Sequence, residues 1–201
     1  MIEALRRRWE SLLPGRALLG AELMTRWSEP HRRYHDLGHL SDALAALDLL
    51  GPSSRSEEIA LWFHDAVHTG SPRHDEHLSA TLAGQELPAV GVEAAEVAEV
   101  IRLVLITIDH NPEPGDAAGA RVSDADLAIL GAEPARYQAS VQALRAEAAG
   151  MDEAAWRASR RVALAAFAAT RSLFHTAVGN SLWEGPARAN LAAEGEHYRR
   201  E

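Results

Sequence analysis

Prolines and glycines divide this chain into short segments whose apolar residues recur at helical spacing, and this punctuation constrains the fold more than any other feature. Breaks occur at Pro14-Gly15, Glu29-Pro30 and Gly51-Pro52. Between breaks, apolar residues stand three or four positions apart, which places them on one face of a helix. No segment shows the alternation of apolar and polar residues that is typical of a strand. The sequence therefore predicts an all-α protein.

The predicted helices lie between these breaks. In chain order we expect them at about 2–13, 16–28, 36–50, 54–68, 74–86, 92–108, 124–131, 134–149 and 152–178, with a last one starting near Pro186. The longest loop is expected from Asn111 to Arg121. Hydrophobic residues make up 47% of the chain and aromatic residues only 5%, and this Ala- and Leu-rich mixture favours helices over sheets. A length of 201 residues without a long linker predicts a single domain, one helical bundle over residues 1–201.

Charge and composition exclude several classes of protein. The 29 acidic residues outnumber 20 basic ones, all of them Arg, and the net charge of −9 argues against binding nucleic acid. The chain has no Cys, which fits a reducing compartment. We expect no signal peptide, because the first residues carry Glu3 and Glu10 and lack a continuous apolar segment. The apolar runs are shorter than the ~20 residues of a membrane-spanning helix. We therefore expect a cytoplasmic protein without a membrane partner.

Histidine is the residue whose placement points to chemistry. Seven of the ten His fall between residues 31 and 77. His35 and His39 are four residues apart, so both can face the same side of a helix. His64-Asp65 follows an apolar helix, and Asp124 and Asp126 stand together further along the chain. Charged groups in apolar helices are costly unless they are paired or coordinated.

One divalent ion shared among three helices would remove that cost for His39, His64, Asp65 and Asp126 together. Imidazole and carboxylate ligands suit Mn, Fe, Co, Ni or Zn better than Mg alone. Each signal also has an ordinary structural interpretation. The spaced His pair can be surface or packing, the His-Asp pair a salt bridge, and Asp124 a helix cap. The capping interpretation favours Asp126 as the ligand, and the reverse assignment stays open.

The order His39, His64-Asp65, Asp126 resembles the HD superfamily of metal-dependent phosphohydrolases, and in particular its small stand-alone bacterial members. Further matching segments lie in the same order along the chain from residue 30 onward. They are Tyr34-His35-x-x-x-His39-Leu40, Trp62-Phe63-His64-Asp65-x-Val67, Glu76-x-x-Ser79-Ala80, Thr107-x-x-His110, Asp124-Ala-Asp-Leu-x-Ile-Leu-Gly131 and Glu184-x-x-Ala187-Arg188-x-Asn190-Leu191.

The chain departs from the pattern of that family at a few positions. The family usually has Asn where Asp36 and Asp75 stand, and Tyr where His68 stands. An expected Arg-x-Glu-Tyr stretch reads Arg145-Ala-Glu147-Ala148 here. None of these departures touches the proposed ligands, but His68 leaves the lining of the pocket, and hence the choice of substrate, open.

The resemblance implies an HD-type helical domain with its metal-site core at about 31–131 and C-terminal helices at about 134–197. It implies hydrolysis of a small phosphorylated molecule, such as a nucleotide, by water that the metal activates. In this interpretation Asp65 and Glu76 are catalytic, with Glu76 positioning or deprotonating the water. His35, His68 and His110 contact substrate, support the ligands or hold a second metal, and Arg145 binds the substrate phosphate.

Several alternatives accompany this interpretation. Arg102 and Arg188 are further candidates for phosphate binding, although Glu184 and Arg188 form an i,i+4 pair that would only fasten the last helix. Asp36 or Asp109 could orient a metal-bound His. The same scaffold could instead carry a di-iron oxygenase or a nucleotide-binding sensor without activity. The Ala-rich segment 152–178 offers a face for a homodimer.

Overall fold

The computed structural model describes residues 1–200, with side chains through Arg199, and all regular secondary structure in that range is helical. The predicted all-α bundle is confirmed. A 3-10 turn, Ala128–Gly131, and a π-helical segment, Asn180–Glu184, accompany the α-helices. The helices are α1 (Ile2–Leu12), α2 (Ala17–Arg26), α3 (Leu37–Leu49), α4 (Arg55–Phe63), α5 (His74–Ala89), α6 (Ala94–Ile106), α7 (Ala117–Leu127), α8 (Pro134–Glu147), α9 (Glu153–Ala169), α10 (Ala177–Gly179) and α11 (Gly185–Arg200).

Local capping explains where two of the helices near the predicted site begin. Asp36 caps α3, because its carboxylate accepts the backbone N–H groups of Gly38 and His39. Ser54 caps α4 in a reciprocal capping box with Glu57. His35 therefore precedes α3 instead of lying on it, although it remains close to His39.

Helix α4 ends at Phe63, earlier than the predicted end near residue 68. The carbonyl groups of Asp65 and Ala66 accept hydrogen bonds from the guanidinium of Arg32 instead of from a further helical turn. The backbone N–H of Val67 donates to Ser79 Oγ. His64 and Asp65 consequently lie in the turn that follows α4.

Two further helix boundaries were predicted wrongly. Residues 117–121 were expected in a loop, but they form the first turns of α7, because the Asp116 carboxylate accepts the N–H of Gly119 and caps this helix. The helix expected over 152–178 ends at Ala169. Arg188 donates to the carbonyls of Phe167 and Thr170 there and so satisfies groups that a longer helix would have used. A homodimer through this segment stays a prediction.

The packed interior consists of two apolar clusters. The larger one is formed by residues from α1 through α7, and includes the fully buried Trp9, Trp27 and Trp62. The smaller one joins α8, α9 and α11 to the 3-10 turn, with Tyr137 and Phe174 among its members. The residues of the predicted site lie where these two clusters meet. Within the described residues, no helix combines the length and the apolar character needed to cross a bilayer.

Candidate metal centre

Four side chains from three separate parts of the chain converge at this junction. His39 lies in the first turn of α3, His64 and Asp65 in the turn after α4, and Asp126 at the end of α7. His64 is 1% exposed and His39 is 7% exposed. Their rings pack beside the indole of Trp27, with ring centroids 5.3 and 6.1 Å from it.

The donor atoms of these side chains lie close together. His39 Nε2 is 3.2 Å from His64 Nε2 and 3.0 Å from Asp126 Oδ1. Asp65 Oδ2 is 3.1 Å from His64 Nε2 and 3.6 Å from His39 Nε2. His64 Nε2 is 3.5 Å from Asp126 Oδ1. One atom each from His39, His64 and Asp126 thus faces a common point, and Asp65 Oδ2 lies beside the two imidazole nitrogens of this group.

Those separations fit a metal ion. Ligand atoms about 2.1 Å from one ion lie about 3.0 Å apart at right angles and about 3.4 Å apart at the tetrahedral angle. The observed separations run from 3.0 to 3.6 Å. Neutral imidazole nitrogens and carboxylate oxygens are also the ligands that Zn, Mn, Fe and Co accept. This buried cluster of His and Asp could hold a metal ion.

The orientation of His64 supports this interpretation. Its Nδ1 lies 2.8 Å from the carbonyl oxygen of Leu61, and only an N–H can donate there. In the neutral ring, Nε2 then carries the lone pair and points into the cluster, which is how metal-binding His are usually held. The two aspartates that were suggested to orient a metal-bound His have other partners. Asp36 caps α3, and the exposed Asp109 accepts the N–H of Asn111.

The two carboxylates also need positive charge. Burial raises the pKa of Asp65 and Asp126, but His64 outweighs it, and the pKa of each carboxyl is lowered. Burial lowers the pKa of His64, yet the two carboxylates outweigh this and raise it. Positive charge beside the two carboxylates is therefore favourable, and a proton on His64 or a metal ion can supply it.

Asp124 and Asp126 have different surroundings. Asp124 is fully buried and accepts the backbone N–H groups of His175 and Thr176 at 2.7 and 2.8 Å, together with the Thr176 hydroxyl. It fastens α7 to the segment before α10 rather than capping its own helix. Asp126 is left facing the two His, and the structure brings it, not Asp124, to the cluster.

A second cluster contains two of the predicted residues and one that the sequence did not single out. Glu147, at the end of α8, places Oε2 2.5 Å from His35 Nδ1 and 3.3 Å from His68 Nε2. The centroids of the two imidazole rings are 4.4 Å apart. The resemblance expects Arg-x-Glu at residues 145–147, but the sequence prediction named Arg145 rather than Glu147 as a site residue.

Arg32 holds both clusters in place. Its side chain is 0% exposed and donates to the carbonyls of His35 at 2.9 Å, Asp65 at 2.8 Å and Ala66 at 3.2 Å. The guanidinium also lies 5.5 Å from the centroid of the Trp27 ring. One buried cation thus ties the segment before α3 to the turn after α4.

A cavity of about 200 Å³ opens beside the first cluster. Its lining combines polar and apolar side chains. The polar lining comprises Tyr34, His35, His39, Asp65, Glu76, Thr107, His110, Asp126, Tyr137, Ser140 and Arg160, and the apolar lining comprises Leu127, Ile129, Leu130, Val141, Leu144 and Phe167. Imidazole and carboxylate groups thus share this cavity with apolar side chains.

Glu76 and His110 both line the cavity. Glu76 Oε2 is buried and has no hydrogen-bond partner within the described part of the chain. Burial raises the pKa of Glu76, and the negative charge of Asp65 adds to this. His110 has a left-handed backbone with φ 52°, and its Nε2 is 3.8 Å from Asp126 Oδ2. Burial lowers the pKa of His110, which keeps its ring neutral.

The three Arg residues suggested for phosphate binding are engaged elsewhere. Arg145 donates to Glu153 and to the carbonyl of Ala148, and it lies over the Trp156 ring rather than in the cavity. Arg102 binds Glu99 and Asp116. Arg188 binds Glu184 and two backbone carbonyls, as the alternative interpretation of that pair expected.

No protein-family model, curated protein or solved structure matches this chain. The resemblance to HD proteins therefore stays a prediction from the residues themselves.

Proposed function

We propose that this protein is a metal-dependent phosphohydrolase of the HD type that acts on a small phosphorylated molecule. The observation that carries the proposal is the convergence of His39, His64 and Asp126, with Asp65 Oδ2 3.1 and 3.6 Å from the two imidazole nitrogens, beside a cavity that His39, Asp65 and Asp126 line. The order of these four residues along the chain supports it as well.

A divalent ion held by these four side chains would supply Lewis acidity, which lowers the pKa of water and polarises a phosphoryl oxygen. Glu76 is the candidate base, because its free carboxylate oxygen faces the cavity. Glu76 Oε2 would accept a proton of the attacking water as the water oxygen bonds to phosphorus and the P–O bond to the leaving group breaks, and the leaving oxygen would take a proton from solvent. His110, kept neutral by burial, can donate or accept a hydrogen bond at Nε2.

The electrostatics of the cavity explain why a phosphate would need metal. Asp65, Asp126 and Glu76 bring negative charge to its lining. Arg160 is the Arg that lines the cavity within the described residues, and its Nε and Nη2 each bind Glu194 at 2.9 Å. An anionic substrate can therefore bind here only where a bound cation reverses the sign of the local charge.

The size of the cavity limits the substrate. About 200 Å³ is below the 300–1,000 Å³ or so of sites that enclose drug-sized ligands. A phosphorylated molecule would place its phosphate against the metal ligands and a small apolar or sugar portion against Leu130, Val141 and Phe167. A nucleotide would extend partly beyond the cavity.

The experiment is turnover of a panel of phosphomonoesters and nucleotides with added Mn²⁺, together with metal analysis of the protein. We expect the His64→Ala, Asp65→Ala double variant to lose at least one equivalent of metal and all phosphatase activity. His77→Ala is the matched control, because His77 is exposed and outside the cavity lining. An active wild type whose double variant keeps full activity would contradict the proposal.

An oxygenase reaction is the second candidate function. The cluster of His35, His68 and Glu147 places a further set of possible metal-binding side chains beside the first cluster. Two redox-active irons per chain with oxygen consumption and no phosphatase activity would favour an oxygenase. Activity with Mn²⁺ under anaerobic conditions would favour hydrolysis.

A further inference from the structure

We propose that His35, His68 and Glu147 form a second binding site for a divalent metal ion. This goes beyond the proposed function, because the site uses none of the four ligands of the first cluster and can be tested without a substrate. The class of ligand is a borderline transition metal such as Zn²⁺, Mn²⁺, Fe²⁺ or Co²⁺, which two imidazoles and one carboxylate favour.

The geometry brings three ligand atoms to one place. His35 Nδ1, His68 Nε2 and a carboxylate oxygen of Glu147 all lie within 4.8 Å of one another. Both imidazole nitrogens are directed at the same oxygen, Oε2, at 2.5 and 3.3 Å. The side chains are 24%, 14% and 8% exposed for His35, His68 and Glu147 respectively, so the site is sheltered but reachable by a small ion.

Glu147 is held in position by its other oxygen. Oε1 accepts the backbone N–H groups of Arg33 at 2.9 Å, Tyr34 at 3.3 Å and His35 at 3.2 Å. Oε1 is thereby occupied, whereas Oε2 is turned toward the two imidazoles. Glu147 lies 112 residues from His35 in the chain, so the end of α8 is what completes the site.

A simple hydrogen-bonded group is the ordinary alternative. The 2.5 Å between His35 Nδ1 and Glu147 Oε2 is a hydrogen-bond distance, and coordination would replace this bond and widen it to about 3 Å. A single bond to His35 does not account for the ring of His68, which points at the same oxygen from a separate segment. Three protein ligands would leave coordination positions open for water or substrate.

The neighbouring cluster gives the second site a role. The ring centroids of His35 and His39 are 5.8 Å apart, and His35 lines the same cavity as the first cluster. Arg32 fastens the backbones of His35 and Asp65 to one another. Two cations at this end of the cavity could together neutralise a phosphate, in the manner of two-metal hydrolases.

The test is metal stoichiometry after dialysis of the full-length protein against Mn²⁺ or Zn²⁺. We expect two equivalents in the wild type and one in Glu147→Gln, since Gln keeps an oxygen for the three backbone N–H groups but replaces Oε2 with an amide nitrogen. His68→Gln should also lose one equivalent, and it is the alternative test variant if Glu147→Gln does not fold. Glu133→Gln, at an exposed glutamate just before α8, is the control and should keep two.

Failure of this site and failure of the first one are distinguishable. The His64→Ala, Asp65→Ala variant should keep one equivalent of metal. Adding Glu147→Gln to this variant should remove that equivalent. This result supports the second site whether or not the protein has phosphatase activity. Equal metal content in the wild type, Glu147→Gln and His68→Gln would overturn the second site and leave the first intact. Binding of no metal by the wild type would overturn both.

Discussion

Individual side chains in the candidate centre are fixed before a ligand binds. A hydrogen bond to the Leu61 carbonyl orients the ring of His64, and three backbone N–H groups hold the carboxylate of Glu147. Arg32 holds the backbone of His35 and Asp65 through their carbonyl groups. Such outer contacts orient metal ligands and are as important as the ligands themselves. Glu76 differs, because its buried Oε2 has no partner among the described residues.

Replacing Glu76 tests its role as base. We expect Glu76→Gln to lower the turnover of a phosphomonoester by about 10²–10⁴-fold, because the amide cannot accept the proton of water. Metal content should stay at the wild-type value, since Glu76 is outside the ligand sets. Glu93→Gln, at an exposed glutamate, is the control. Loss of metal in Glu76→Gln would instead make Glu76 a ligand.

The two neighbouring aspartates of α7 are expected to behave in opposite ways. Asp124→Ala removes a fully buried carboxylate that accepts the N–H groups of His175 and Thr176, which should cost about 2–4 kcal/mol of unfolding free energy. It should keep its metal. Asp126→Ala should lose the metal of the first cluster. Measured in the presence of chelator, its unfolding free energy should fall by less than that of Asp124→Ala. Urea unfolding and metal analysis of both variants measure this, and the reverse pattern would make Asp124 the ligand.

The site residues with characteristic spacing are predictable from the sequence, whereas those that act from distant positions in the chain are not. His39, His64, Asp65 and Asp126 stand in a recognisable order and were predicted to converge. Glu147 is separated from His35 by 112 residues, and nothing local marks it as a partner of two imidazoles. The roles of Arg32 and of the Leu61 carbonyl depend on tertiary contacts, which no local pattern reports.

At the scale of elements, the helices were predictable where local signals end them. Pro14-Gly15 and Gly51-Pro52 mark the ends of α1 and α3 within a few residues. The end of α9 was missed because it depends on Arg188, and the end of α4 because it depends on Arg32. The confirmed all-α class follows from periodicity, whereas these boundaries are set by distant side chains.

The start of α5 offers a test of pH dependence. Burial raises the pKa of Asp75, but hydrogen bonds from the Thr69 hydroxyl and from the N–H groups of Ser71 and Thr69 outweigh it and lower that pKa. A pKa lowered in the folded state stabilises the protein above the unfolded value near 3.9 or so, and this contribution is lost as pH falls through the folded pKa.

We therefore expect the urea midpoint of the wild type to fall more steeply below about pH 4 than that of Asp75→Asn. The Asn side chain keeps an acceptor for the N–H groups of the Thr69–Ser71 loop but does not titrate. Urea unfolding at a series of pH values compares the two. Parallel pH profiles would show that Asp75 does not contribute in this way.

At the scale of the whole molecule, the first cluster joins three parts of the bundle that are far apart in sequence. An ion there would connect α3, the turn after α4 and α7, and so stabilise the folded chain. At free metal about a hundred times Kd, the gain is about 2.7 kcal/mol, which corresponds to about 5–10 °C in Tm for a chain of this size.

Chelation should reverse this gain. We expect EDTA to lower the Tm of the metal-loaded wild type by that amount, measured by calorimetry or circular dichroism. The His64→Ala, Asp65→Ala variant should respond less, because its first cluster cannot bind. His77→Ala should respond as the wild type does. An equal response in the double variant would place the stabilising ion elsewhere.

The most direct measurement is anomalous diffraction from crystals of the protein grown with Mn²⁺ or Co²⁺. We expect an anomalous peak within about 2.0–2.3 Å of His39 Nε2, His64 Nε2, Asp65 Oδ2 and Asp126 Oδ1. The absence of a peak between these four atoms, in crystals that contain the ion elsewhere, would contradict the metal centre and with it the proposed hydrolase.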